Sequence, residues 1–478
     1  MINYLPKYIS NRAITIYVAA LFVVTMLYMN MAMSWYWFAF GLVEVVGFFY
    51  FANRFSRKWL PYSEKLFIKK IFITALIIRV IYVVFSYWFC VFMYDNPLGA
   101  NPADAGFYDG MARAGHNLLS RQGFFTLEEF KQYTGADRMA ISDSGYPVYL
   151  SFIYFLTDDS IFLSRIIKAL FSAFMCVLIY HLAKRNFNEN VGRIAAIFCM
   201  LMPNLIYYCG LQLKECEMVF VVVAFMERAD HAMRSSKFTF GNMILPVLLA
   251  GCLFFFRTVL GVTALFAFFT AIFLTSGRVI KMGKRIVLGI WILVAAGYFV
   301  GGRIATEVEE VWQNRENNQS NSMQWRAERK GGNEFAKYAG VAVFAPLIFT
   351  IPFPTMVETP GQENQRMIHG GNFVKNITSF FTISAIFLLF FKWKTWKNHI
   401  LILAFTGGYL AVIAMSAFAQ SERFHLPVLP FALILAAFGV SQMTDEKYKI
   451  YLNWWTIFIF IACVAWAWFK LAGRGMTE

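Results

Sequence analysis

The chain has 478 residues, 59% of them hydrophobic and only 15% charged, with 43 Lys and Arg against 28 Asp and Glu for a net charge of +15. A soluble domain averages about 45–50% apolar and about 25% charged residues, so a secreted soluble enzyme, a disordered hub and a nucleic-acid binder are excluded. One membrane-crossing helix consumes about 20 apolar residues, and this content supplies about 13 of them, which makes the chain an all-α polytopic membrane protein.

Apolar runs predict helices near 13–33, 35–52, 68–94, 162–183, 192–209, 213–228, 240–257, 258–277, 286–303, 376–391, 399–418, 424–440 and 450–470. Lys7 and Arg12 precede the first run, which has no small-residue cleavage site and reads as a retained span. Arg54, Arg57, Lys58, Lys65, Lys69 and Lys70 follow the second run. The third carries Arg79, a cation at membrane depth that would snorkel, pair with an acid or hold a headgroup. A long connection, 95–159, holds nine acids against four basic residues. In it, Asn101 and Pro102 read as a helix N-cap and first helical position. Asp104 then falls in the first turn, with Tyr108 and Ala112 below it at i+4 spacing and Asp109 able to pair with Arg113.

Lys184 and Arg185 lie between the runs 162–183 and 192–209, and Arg193 at the start of the latter. The run 213–228 opens on Lys214-Glu215-Cys216-Glu217 and leads to Arg228, Arg234 and Lys237. Arg257 closes Phe254-Phe255-Phe256 at the junction of 240–257 and 258–277, and Arg278, Lys281, Lys284 and Arg285 come next. A second long connection, 304–375, holds Glu307, Glu309, Glu310, Arg315, Trp325 and Arg326. Lys392, Lys394 and Lys397 precede 399–418, a short turn holds Ser421-Glu422-Arg423-Phe424-His425, and Lys447 and Lys449 precede 450–470. Basic residues collect on the cytoplasmic side of spans. Putting these clusters there leaves both long connections outside, provided that 145–157 and 338–353 are re-entrant or membrane-plane segments rather than spans. The seven cysteines (90, 176, 199, 209, 216, 252 and 463) nearly all lie in apolar runs, with no CxxC spacing, and read as buried thiols.

On this topology one acid and several cations share the outer membrane surface. Each has a plain structural reading as well. Asp104 would complement a helix dipole, Lys214 and Glu215 would be interfacial anchors, and Arg257, Arg423 and His425 would be boundary residues. The chemical reading is that a carboxylate takes a proton from an incoming hydroxyl while Arg, Lys and His neutralise a phosphate leaving group. A lipid phosphate sits at that depth, and no Gly-rich nucleotide loop is present.

Four stretches, in this order, resemble the GT-C superfamily of integral-membrane glycosyltransferases, in particular the protein O-mannosyltransferase and lipid A aminoarabinose transferase groups. They are Ala103-Asp104-Ala105-Gly106-Phe107-Tyr108, Gly145-Tyr146-Pro147-Val148-Tyr149-Leu150, the pair Ser164-Arg165 to Arg185 with Met202-Pro203-Asn204, and Arg423-Phe424-His425-Leu426-Pro427-Val428-Leu429-Pro430. The resemblance covers 66–440, leaving two extra N-terminal helices and a basic loop in 1–65 and a last helix and tail in 441–478. It implies an inverting transfer of a sugar from a polyprenyl-phosphate donor to a lipid, glycan or protein acceptor, at the outer face of a bacterial inner membrane. Asp104 would be the general base, with Glu215 a second acid. Lys214, Arg257, Arg423 and His425 would hold the donor phosphate, and Tyr108, Tyr146, Trp325, Arg326 and His369 would contact substrates. The acidic motif here is a single Asp followed by Ala, so a divalent metal is not supported, because paired acids make the better oxygen site. No other cofactor is expected. Two other readings are an O-antigen polymerase or ligase, with its essential cations in 304–375, and a lipid-linked oligosaccharide flippase, which needs charges at the bundle midplane.

Overall fold

The computed structural model describes residues 2–99, 102–136, 140–235, 240–275, 345–359, 363–415, 417–443, 446–472 and 476, with the helical positions 283, 286, 288–290 and 297. Every regular element among them is helical. In chain order these are α1 (Lys7–Leu27), α2 (Trp35–Lys58), α3 (Glu64–Tyr94), α4 (Ala103–Gln122), α5 (Leu127–Tyr133), α6 (Ile141–Thr157), α7 (Ile161–Asn186), α8 (Glu189–Leu201) and α9 (Pro203–Tyr207). There follow α10 (Glu215–Arg234), α11 (Phe240–Phe256), α12 (Thr258–Leu274), α13 (Glu363–Met367), α14 (His369–Phe387), α15 (Ile400–Ala414), α16 (Glu422–His425), α17 (Leu429–Ser441) and α18 (Glu446–Ala472).

Among the described residues six helices are long and apolar enough to cross a membrane: α1, α2, α3, α7, α14 with its continuation to Lys392, and α18 from Tyr448. Helices α8 and α9, bent by 52° at their junction, make a seventh if the pair is one span. The composition allowed about 13. Further apolar residues lie in the shorter helices α11, α12, α15 and α17. The run 213–228 becomes α10, whose Glu215, Glu217, Glu227, Arg228, Asp230 and Arg234 keep it out of the six. The run 286–303 lies largely outside the described residues, as does the first part of 338–353. The segment 145–157 is the body of α6, and α4 begins at Ala103, so Pro102 precedes the first turn rather than opening it.

Burial sorts the spans. Only 22% of the apolar stretch of α3 is buried, against 72% for that of α14. Ile73, Ile77, Ile81, Trp88 and Phe92 stand exposed on α3, the apolar face a lipid-facing helix presents. Helix α14 is the central element, packed against α2, α17 and α18.

Two polar contacts at membrane depth explain features that hydropathy cannot. Pro203 has no N–H and cannot continue the ladder of α8. The freed carbonyls of Cys199 and Met200 instead accept from Arg79, each at 3.1 Å, while Arg79 Nε donates to Ser172 Oγ at 2.6 Å. Arg79 is fully buried. It neither snorkels nor pairs with an acid among the described residues; it caps a broken helix. On α2, Glu44 Oε2 accepts the Gly371 N–H at 2.9 Å in the first turn of α14. Beside it His369 Nε2 donates to the Trp37 carbonyl at 3.0 Å, so Nδ1 accepts the Tyr17 hydroxyl at 3.2 Å. The N-terminal helices are thereby sewn to the C-terminal third: α1 packs on α18, and the Ile2 N–H donates to the Ser441 carbonyl at 2.9 Å.

Helices α7 and α10 run parallel. At one end Arg185 pairs with Glu227 at 2.7 Å and Asp230 at 2.9 Å, and Arg234 pairs with Asp230 at 2.7 Å. At the other, Lys168 lies 3.5 Å from Glu217 and donates to the carbonyls of Leu211 (3.0 Å) and Leu213 (2.6 Å). The start of α10 is therefore fixed at the end opposite the basic cluster. Helix α6 closes against α11 there, where a Cβ on Gly145 would collide with the Phe255 carbonyl oxygen. Gly145→Ala is accordingly expected to cost about 1–3 kcal/mol, measured as a lower melting temperature in detergent. An unchanged melting temperature would mean that the α6–α11 contact is not this close.

Candidate functional site

Four segments far apart in the chain converge on one guanidinium. Arg423, on the single turn α16, donates through Nε to Glu215 Oε1 and through Nη1 to Asp104 Oδ2. Asp104 is presented by the first turn of α4 and Glu215 by the first turn of α10. Arg257, at the α11–α12 junction, approaches Glu215 Oε1 to 3.9 Å. Its guanidinium lies 4.5 Å over the Phe424 ring, and its Nη1 donates to the Tyr409 hydroxyl at 3.5 Å. The side chains grade inward: Asp104 is 57% exposed, Arg423 19%, Arg257 15% and Glu215 0%. Asp104 thus stands at the mouth and Glu215 at the floor.

The electrostatics follow from that gradient. Burial opposes the charge on Arg423, but Glu215 and Asp104 outweigh it, and its pKa lies above the ordinary arginine value. Arg423 is a fixed cation. Glu215 uses only one of its oxygens on it. The other, Oε2, is buried without a hydrogen-bond partner among the described residues.

The remaining sequence candidates divide. Lys214 borders the cluster but turns to the start of α6, 3.1 Å from Asp143 Oδ1 and donating to the Ser142 carbonyl at 3.1 Å. Tyr108 and Tyr146 pack edge-on at 5.1 Å, and the Lys168 ammonium lies 5.0 Å over the Tyr146 ring. Both tyrosines are buried, and burial pushes the Tyr108 hydroxyl up to about 12. They pack together where α4 meets α6. His425 points away from Arg423: its Nε2 donates to the Ala419 carbonyl at 2.8 Å, and its Nδ1 lies 3.0 Å from Lys375 Nζ. His369 sits in the α1–α2–α14 contact with both nitrogens engaged and is not offered to a ligand. Trp325 and Arg326 lie outside the described residues.

Asp143, Tyr409 and Tyr208 were not legible from the sequence as neighbours of this site. Tyr208 donates to Glu422 at 3.5 Å, beside Arg423. Asp143, two residues before the Gly145-Tyr146 motif, was the one with a local signal: an acid in the first turn of a helix. No family model matches the chain, and no curated protein matches it.

Proposed function

We propose that the chain is a GT-C-like membrane glycosyltransferase. It moves a sugar from a polyprenyl-phosphate donor to a lipid, glycan or protein acceptor at the extracytoplasmic face of a bacterial inner membrane. The observation that supports this reading is the Arg423 guanidinium held between an exposed and a buried carboxylate, with Arg257 alongside. In the proposed reaction Asp104, at the mouth, accepts the proton of the acceptor hydroxyl as it attacks. Arg423 and Arg257, with Lys214 at the rim, stabilise the departing lipid phosphate. Glu215 orients Arg423 from below. One displacement inverts the anomeric centre. The proposal carries with it the full set of about 13 spans that the composition allows and the outward placement of 95–159 and 304–375.

The test is transfer from radiolabelled polyprenyl-phosphate sugars in proteoliposomes. Asp104→Asn keeps the shape of the side chain and removes its basicity. It is expected to reduce transfer by about 10²–10⁴-fold with the melting temperature retained. Equal transfer by wild type and Asp104→Asn would remove Asp104 from the chemistry.

A further inference from the structure

We propose that Cys209 and Cys216 are a disulfide-forming pair that closes the loop presenting Lys214 and Glu215. Their sulfurs lie 3.7 Å apart, and both side chains are buried. Cys209 belongs to the turn after α9 (Tyr208–Gly210), and Cys216 to the first turn of α10. The loop between them is anchored independently. Lys168 holds its carbonyls at Leu211 and Leu213, and Gln212 Nε2 donates to Tyr154 (3.1 Å) and Ser164 (2.9 Å). With the middle of the loop held, the sulfurs have 3.7 Å to close to the bonded distance of about 2.05 Å.

The chemistry is a thiol–disulfide exchange. The two S–H bonds break and one S–S bond forms. Two electrons and two protons pass to the disulfide of a thiol oxidoreductase or of oxidised glutathione, which leaves as two thiols. The pair lies at the end of α7 and α10 opposite Arg185 and Arg234. Basic clusters mark the cytoplasmic side, so the sulfurs belong to the face where disulfides form. Burial means that an oxidant meets them during folding or on local opening. The effect on sugar transfer rests on the function proposed above; the bond itself does not.

Full-length protein is taken in two forms: alkylated with iodoacetamide as its membranes are dissolved, and held with oxidised glutathione near its melting temperature before denaturation in the same reagent. Trypsin cleaves after Lys214 and separates the two cysteines. A disulfide therefore appears as two peptides joined, two hydrogens lighter than their sum and parted by dithiothreitol. Joined peptides in either sample, absent from Cys209→Ser, are the expected result. Both cysteines alkylated in both samples would overturn the proposal. Transfer is compared between the oxidised and the reduced wild type. A rate change that Cys209→Ser abolishes ties the bond to the site, and joined peptides with an unchanged rate would refute that tie. Loss of transfer in every form strikes the proposed function and leaves the peptide result standing.

Discussion

Replacing Arg423 with methionine is expected to stop sugar transfer and to destabilise the protein, and adding Glu215→Gln is expected to restore the stability but not the transfer. The argument starts from burial. Glu215 is fully enclosed, and Arg423 is its closest cation, with Arg257 at the outer limit of an ion pair, 3.9 Å. Removing one member of a buried pair costs about 3–5 kcal/mol because the other charge is left uncompensated. The contact with Asp104 adds little, since an exposed pair contributes about 0–1 kcal/mol. Neutralising Glu215 in the same chain removes the stranded charge, so the double variant should recover most of the loss. Melting in detergent and transfer in proteoliposomes read the two effects separately. Equal stability of the single and double variants would show that Arg423 does not neutralise Glu215.

Arg79→Leu is the second large effect, expected wholly in stability. The guanidinium serves Ser172 and the carbonyls of Ala75, Cys199 and Met200. Hydrogen bonds from a charged donor contribute about 1.5–3 kcal/mol each. Removing a buried charge relieves its desolvation, but Ser172 Oγ and the carbonyls of Cys199 and Met200 lose this donor together, while the Ala75 carbonyl keeps its helical N–H, and the net cost is expected to be at least about 3 kcal/mol on that scale. Pro203→Ala returns an N–H to the break and should offset part of the loss. The double variant Arg79→Leu/Pro203→Ala is therefore expected to be more stable than additivity allows. Strict additivity in melting experiments would mean that Arg79 does not serve the break.

The membrane class and the first turn of α4 were readable because both are local: an apolar excess, and a Pro–x–Asp start. Asp104, Glu215, Arg257 and Arg423 stood out as charges beside apolar runs, and the fold brings those four together. What could not be read came from distance along the chain. The charges of α10 are buried because Arg185, on another helix, faces them. Arg79 finds its carbonyls 120 and 121 residues away, at a proline break whose effect no hydropathy window registers. His369 falls in the long connection 304–375 on sequence because the apolar run that follows starts only at 376; Gly370 and Gly371 come directly after His369. In the fold those glycines allow α14 to approach Glu44 and Asn204 closely, and the helix has already begun.

The bond between Glu44 and Gly371 spans 327 residues, and that between Tyr17 and His369 spans 352. Translation makes these partners in that order, so α2 enters the bilayer carrying a carboxyl group long before anything exists to receive it. An acid alone at the centre of a membrane costs about 2.5–3.5 kcal/mol on insertion scales. The first two helices thus wait, incompletely assembled, until the ribosome has finished α14 and α18. A nascent chain stalled before His369 should leave α1 and α2 open to membrane proteases and quality control, whereas release after Ala472 should close them off.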